Sequence, residues 1–154
     1  KKVKYLIIGA LDYQKKSSFS KIEIMQLKKI NNLKFTGFKR NIISYFKKAA
    51  IVCLPSYREG LSKVLLEASV MGIPIVTTNV VGCAEAILAG KTGELCKPKN
   101  SLSLANKLYK LMISDKIRKS YSKNSQKMLV CKYDLKNVIE KNLNIYDSLY
   151  LKKC

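Results

Sequence analysis

The chain has 154 residues, with 30 Lys or Arg against 10 Asp or Glu, a formal charge of +20, and no histidine. That length suits one domain able to bury a core, and the lack of histidine excludes a Ser-His-Asp triad, a histidine base or a histidine-ligated zinc within these residues. Five cysteines (Cys53, Cys83, Cys96, Cys131, Cys154) without a C-x-x-C pair, no apolar run near ~20 residues and a start unlike a signal peptide lead us to expect a soluble protein of a reducing cytosol.

In chain order, residues 3–9 form a short β-branched run ending in Gly9, which predicts a buried strand leaving a sheet. Ile22, Met25, Leu27 and Ile30 recur at near-helical spacing and predict a helix over about residues 18–30. Leu33 to Gly37 reads as a second strand. Ile42, Ile43, Phe46 and Ala49 follow as a short amphipathic helix, and residues 50–54 as a third strand cut by Pro55. Leu61, Val64, Leu65, Ala68 and Met71 predict a strong helix over 61–71, with Gly72 past its end. Residues 74–78 and 93–96 read as strands. After Pro98-Lys99-Asn100, three helices are expected over 102–113, 115 to about 130, and 135–151. Strands alternating with helices predict an α/β domain: a Rossmann-like parallel sheet with helices on both faces, its ligand at the carboxyl ends of the strands. Residues 1–154 read as one domain, with 114–154 as a helical tail.

The charge itself says little about nucleic acid. Only Arg40, Arg58 and Arg118 are arginine and the other 27 cations are lysine, whereas readers of base edges rely on arginine forks. From Lys97 to Cys154, fourteen basic residues stand against four acids, a composition suited to peripheral contact with an anionic membrane face.

Chemistry concentrates between Leu54 and Gly72. The polar turn Pro55-Ser56-Tyr57-Arg58-Glu59-Gly60 falls after a buried strand and before a helix, where exposed amides and the positive helix end favour an anion such as a diphosphate. Glu59 lies in that turn and Glu67 about two turns into the helix. Each carboxylate can accept two hydrogen bonds from vicinal hydroxyls of a sugar or ribose. The residues alone leave a plainer reading open: Glu59 as a helix-start carboxylate, and Glu67 as a surface residue paired to Lys63 four positions back.

The string from Leu54 to Ala68 closely resembles the E-x7-E signature of glycosyltransferase family four, the retaining enzymes of GT-B fold. Other blocks agree in order: residues 3–9 with the strand opening the C-terminal domain, and Phe35-Thr36-Gly37-Phe38 with the "TGF" turn. Gly72-Ile73-Pro74-Ile75-Val76-Thr77-Thr78, Gly82-Cys83-Ala84-Glu85 and Lys91-Thr92-Gly93 follow the family's later segments. The resemblance covers about residues 3–113 and is strongest to bacterial enzymes that build capsule, O-antigen or lipid-linked glycans from UDP-sugars. It implies that Glu59 is the catalytic carboxylate and contacts hydroxyls of the donor hexose. It also implies that Glu67 accepts from the ribose diol, that the backbone of Gly60, Leu61, Ser62, Lys63 and Val64 faces the diphosphate, and that Ser56 is among the donor-binding residues. Gly9 would sit where the first strand meets the donor, Phe38 and Lys39 beside the base, and Gly82 and Glu85 in a loop facing an interdomain cleft.

The expected function is therefore retaining transfer of a hexose or N-acetylhexosamine from a UDP-sugar to a glycan or polyprenyl-linked acceptor, with no cofactor and no protein-bound metal. The chain would be the donor-binding, C-terminal half, cytoplasmic or peripheral at the inner membrane face. An N-terminal acceptor domain lies outside these residues, and the half alone is expected to be inactive. The sequence departs from the pattern in three places. Gly9-Ala10-Leu11-Asp12 stands where the family often has G-x-G, Ala50 where it often has Asp, and the basic pair that usually precedes the first strand is not included. Two rival readings are an inactive scaffold or membrane-attached domain, and a basic nucleic-acid-binding module.

Overall fold

The computed structural model describes residues 3–11 and 18–151. Asp12, Cys154 and the Cys131 side chain lie outside the described residues. The backbone divides into two units, Lys1–Ser44 and Tyr45–Cys154.

In the first unit, β1 (Tyr5–Ile8) pairs in parallel with β2 (Leu33–Gly37), Tyr5 opposite Leu33 and Ile7 opposite Phe35, with a register shift before Ile8. Between them runs α1 (Lys21–Lys28). Its start is a reciprocal cap: the Glu23 amide donates to Ser20 Oγ at 3.2 Å and the Ser20 amide donates to Glu23 Oε2 at 2.8 Å. α1 is shorter than its apolar spacing predicted, and Ile24 is the buried residue while Ile22 and Met25 face solvent. β1 also departs from expectation, since Tyr5, Leu6 and Ile7 are exposed. A two-stranded ladder with one packed helix has too little of its own unit to cover both faces.

The second unit begins within α2 (Ile43–Phe46) and continues through β3 (Val52–Leu54), α3 (Lys63–Val70), β4 (Ile75–Thr78), α4 (Val81–Ala84), β5 (Gly93–Cys96), α5 (Ser101–Ile113), α6 (Asp115–Lys132) and α7 (Leu135–Leu151). Its sheet has the order β3-β4-β5, all parallel, with Val52 opposite Ile75 and Ile75 opposite Gly93. All four β4 residues are buried. Successive strand side chains point to opposite faces, so both faces of the sheet are covered at β4. α3 packs on β3, β4 and α6, and α5 packs on β4 and β5. Val76, Leu111 and Tyr121 form a core cluster, with Ile51, Leu104, Leu108 and Ile117 against it. The alternation and the parallel pairing agree with the sequence reading, and the ladders group as two sheets, one in each unit.

One ionic cluster ties this core together. The Glu94 side chain, 3% exposed, accepts from Lys107 Nζ at 2.8 Å, Lys110 Nζ at 2.5 Å and Tyr121 Oη at 2.6 Å. β5, α5 and α6 thus meet at one carboxylate. Burial opposes its charge, but the hydrogen bonds from Lys107, Lys110 and Tyr121 outweigh that and hold its pKa down at about 2. Cys53, Cys83 and Cys96 are free thiols. Among the described residues, no helix is long and apolar enough to cross a membrane.

Candidate functional site

The turn that leaves β3 at Leu54 is braced from the neighbouring strand. Thr77 Oγ1 donates to the Leu54 carbonyl at 2.8 Å and Thr78 Oγ1 donates to the Ser56 carbonyl. Ser56 Oγ in turn donates to Glu59 Oε2 at 3.0 Å and to the Arg58 carbonyl at 3.2 Å. A half-buried Glu59 carboxylate is therefore held by a side chain whose own backbone is tied to β4. Behind the turn lies Gly82 in α4. A Cβ added there would fall well inside the van der Waals envelope of the Gly60 and Glu59 carbonyl oxygens. Glycine at 82 is thus required by close approach: α4 backs directly onto the Glu59–Gly60 peptide.

Past the turn, α3 starts at Lys63, two residues later than the apolar pattern suggested, so Glu67 stands about one turn into the helix rather than two. The first intrahelical bond runs from the Leu66 amide to the Ser62 carbonyl at 3.1 Å, and the Ser62 hydroxyl caps nothing. Among the described residues, no acceptor takes the amides of Gly60, Leu61, Ser62, Lys63 or Val64. Open amides at a helix start carry partial positive charge, and α3 has no acid in its first turn to neutralise it. Lys63 adds a full positive charge at the same place. The arrangement favours an anion.

Glu67 is exposed, and among the described residues it forms no ion pair with Lys63 or with any other cation. The reading of Glu67 as half of a surface salt bridge is therefore set aside. Ser62 is buried, Leu61 is exposed and Val64 is half-buried. Sequence reasoning missed three contributors. Thr77 and Thr78 act through hydroxyls inside a strand that reads simply as β-branched. Lys99 has left-handed backbone, φ 55°, and brings its Nζ to 5.9 Å from the ring centre of Tyr57 in the turn. A loop Lys after Pro98 was the available signal.

Gly9, Phe38 and Lys39 belong to the first unit. The Gly9 amide donates to the Gly37 carbonyl at 3.1 Å, closing the ends of β1 and β2, and both glycines have positive φ (147° and 69°). Turn geometry alone accounts for glycine at 37. Phe38, 70% exposed, and the exposed Lys39 follow immediately.

The family model for glycosyl transferases group 1 matches residues 1–128. The chain is 26% identical over 146 residues to the capsular polysaccharide biosynthesis glycosyltransferase CapM of Staphylococcus aureus, covering 95% of this chain and 38% of that protein. It is 29% identical over 146 residues to the N,N'-diacetylbacillosaminyl-diphospho-undecaprenol alpha-1,3-N-acetylgalactosaminyltransferase of Campylobacter jejuni, covering 95% and 37%. Among solved structures, Anabaena Alr3699/HepE in complex with UDP superposes with a TM-score of 0.79 at 24% identity, over 96% of this chain and 41% of that one. The chain thus spans under two fifths of the length of these two curated relatives.

Proposed function

The chain belongs to the group 1 glycosyl transferases, and from that premise we propose that it is the donor-binding, C-terminal domain of a glycosyltransferase of GT-B fold. The donor is a UDP-sugar carrying a hexose or N-acetylhexosamine, and the acceptor a glycan or lipid-linked saccharide. Transfer proceeds with retention of configuration and without a protein-bound metal. The relatives support this reading by name: one acts in capsular polysaccharide synthesis and one on an undecaprenol diphosphate-linked sugar, while the Anabaena neighbour was solved with UDP. The acceptor pocket is assigned to the part of such an enzyme that these residues do not span. The site of action is the cytoplasm or the inner membrane face.

The observation that carries the reading is the amide corner at the start of α3, which takes no acceptor among the described residues, with a braced carboxylate before it and one after it that forms no ion pair among the described residues. Charge builds on the leaving diphosphate as the glycosidic bond breaks. Fixed amides and Lys63 stabilise that charge without reorganising. Glu67, one turn up the helix, accepts from the ribose hydroxyls, and Glu59 accepts from the hexose. Chemistry further requires a cleft dry enough to suppress hydrolysis, which the remainder of the enzyme supplies.

Calorimetric titration of UDP into the chain tests the assignment. Binding is expected and should weaken at least tenfold in Glu67→Ala. No heat with UDP, or equal affinity in the variant, overturns it.

A further inference from the structure

We propose that the chain carries a second anion site, for a phosphate-bearing ligand, in an open cleft at the opposite end of the β3-β4-β5 sheet from the Glu59 turn. The cleft has a volume of about 600 Å³, within the range of ~300–1,000 Å³ of small-molecule sites. It is bounded by the end of α2, by the turn that leads from α3 into β4, and by one side of α6. Ala49 and Pro74 in its wall precede β3 and β4, which places it at the amino ends of the strands, whereas Glu59 follows a carboxyl end.

Its lining is all one sign. Lys47, Arg118, Lys119 and Lys123 face it, no acid does, and Ser122 and Gln126 add neutral donors between the cations. Arg118 is spent: its guanidinium donates to the Leu111 and Met112 carbonyls and to Asp115. Lys47, Lys119 and Lys123 are exposed and, among the described residues, form no ion pair. Lysines of this chain do take a carboxylate within reach, as Lys107 and Lys110 do with Glu94. Lys119 and Lys123, moreover, stand four apart on α6, an arrangement of like charges that weakens a helix. Scattered lysines on a convex surface need no partner. Three lysines that line one cleft beside two neutral donors, and that form no ion pair among the described residues, make a site whose mutual repulsion an anion relieves. Phosphate oxygens accept from ammonium, hydroxyl and amide donors alike. The phosphate belongs either to a soluble phosphorylated compound or to an anionic lipid headgroup.

Amide NMR of the chain, titrated with inorganic phosphate, tests the proposal independently of donor binding, because the cleft and the α3 start report on separate amides. Saturable shifts are expected at residues 47, 72 and 118–126. They should weaken at least tenfold in Lys47→Glu/Lys119→Glu/Lys123→Glu, and persist in a control with the same charge change at Lys28, Lys136 and Lys141. A parallel arm sediments both variants with phosphatidylglycerol vesicles. Selective loss of sedimentation in the cleft variant assigns the phosphate to lipid, and equal sedimentation of the two variants with selective loss of phosphate binding assigns it to a soluble ligand. Because reversal could perturb folding, Lys119→Gln/Lys123→Gln is measured as well. Shifts spread evenly over the lysines, or equal loss in the cleft and control variants for both probes, overturn the proposal.

Discussion

Two regions of the second unit place carboxylates among an excess of lysine and treat them in opposite ways. On β5, Glu94 is buried and saturated, accepting from two ammoniums and a phenol drawn from α5 and α6. On α3, Glu67 is exposed and, among the described residues, takes no cation, although Lys63 stands one turn away and 30 basic residues face only 10 acids in the chain. In a molecule so rich in cations, an acid left unpaired is the more informative one. Glu94 is a structural joint. Glu67 keeps its hydrogen-bonding capacity for something outside the chain.

Removing the joint should produce the largest effect. Glu94→Ala strands the Tyr121 hydroxyl in the core and frees two lysines, and a loss of about 3 kcal/mol is expected. Chemical denaturation reads that loss directly. pH sharpens the same contrast. Glu94 has a pKa depressed to about 2, so its contribution is fully present above the ordinary carboxylate pKa of ~4.3 and lost as pH falls through the range from ~5 to about 2. The linked change is about 3 kcal/mol, and a denaturation series should show it in the parent chain and not in Glu94→Gln.

At the other carboxylate the signature reverses. Glu67→Ala should leave stability within about 0.5 kcal/mol of the parent while weakening UDP roughly 10- to 100-fold. If the variant instead unfolds early and binds UDP normally, Glu67 belongs with Glu94 and the contrast is gone. Gly82→Ala acts on the backing of the turn. The new methyl group must push the Glu59–Gly60 peptide aside, so donor binding is expected to fall roughly tenfold, with a stability cost of about 1–3 kcal/mol.

The difference between the regions also explains what could be read from the sequence. The strand-helix alternation and the turn after β3 sit within short windows that local spacing exposes, whereas Glu59 and Glu67 stand out through the resemblance of the whole string from Leu54 to Ala68 to a family signature. The Glu94 cluster joins positions 94, 107, 110 and 121, and nothing in the sequence marks Glu94 apart from other acids in a lysine-rich chain. Ile24 rather than Ile22 or Met25 became the buried side of α1 because the packing partner, β2, chose the face. The threonines at 77 and 78 read as strand formers, and only the fold shows their hydroxyls holding the neighbouring loop. Helix starts are similarly blurred: Leu61 completed an apolar stripe, yet Ser62 adopts extended backbone and the helix begins after it.

The smallest effect is also the most discriminating. Ser56 Oγ donates to Glu59 and orients it, while its own carbonyl is fixed by Thr78. Ser56→Ala removes the hydroxyl that donates to Glu59 and to the Arg58 carbonyl, a loss worth about 1 kcal/mol, and leaves the tie from Thr78 to the Ser56 carbonyl intact. On the proposed assignment Glu59 meets the sugar and Glu67 the ribose. The substitution should therefore weaken a UDP-hexose about fivefold and leave UDP unaffected, since UDP offers Glu59 no hexose hydroxyl. Calorimetry with both ligands reads the difference. A loss shared equally by UDP and UDP-hexose would move Glu59 from the sugar to the diphosphate and make Ser56 part of the amide corner itself.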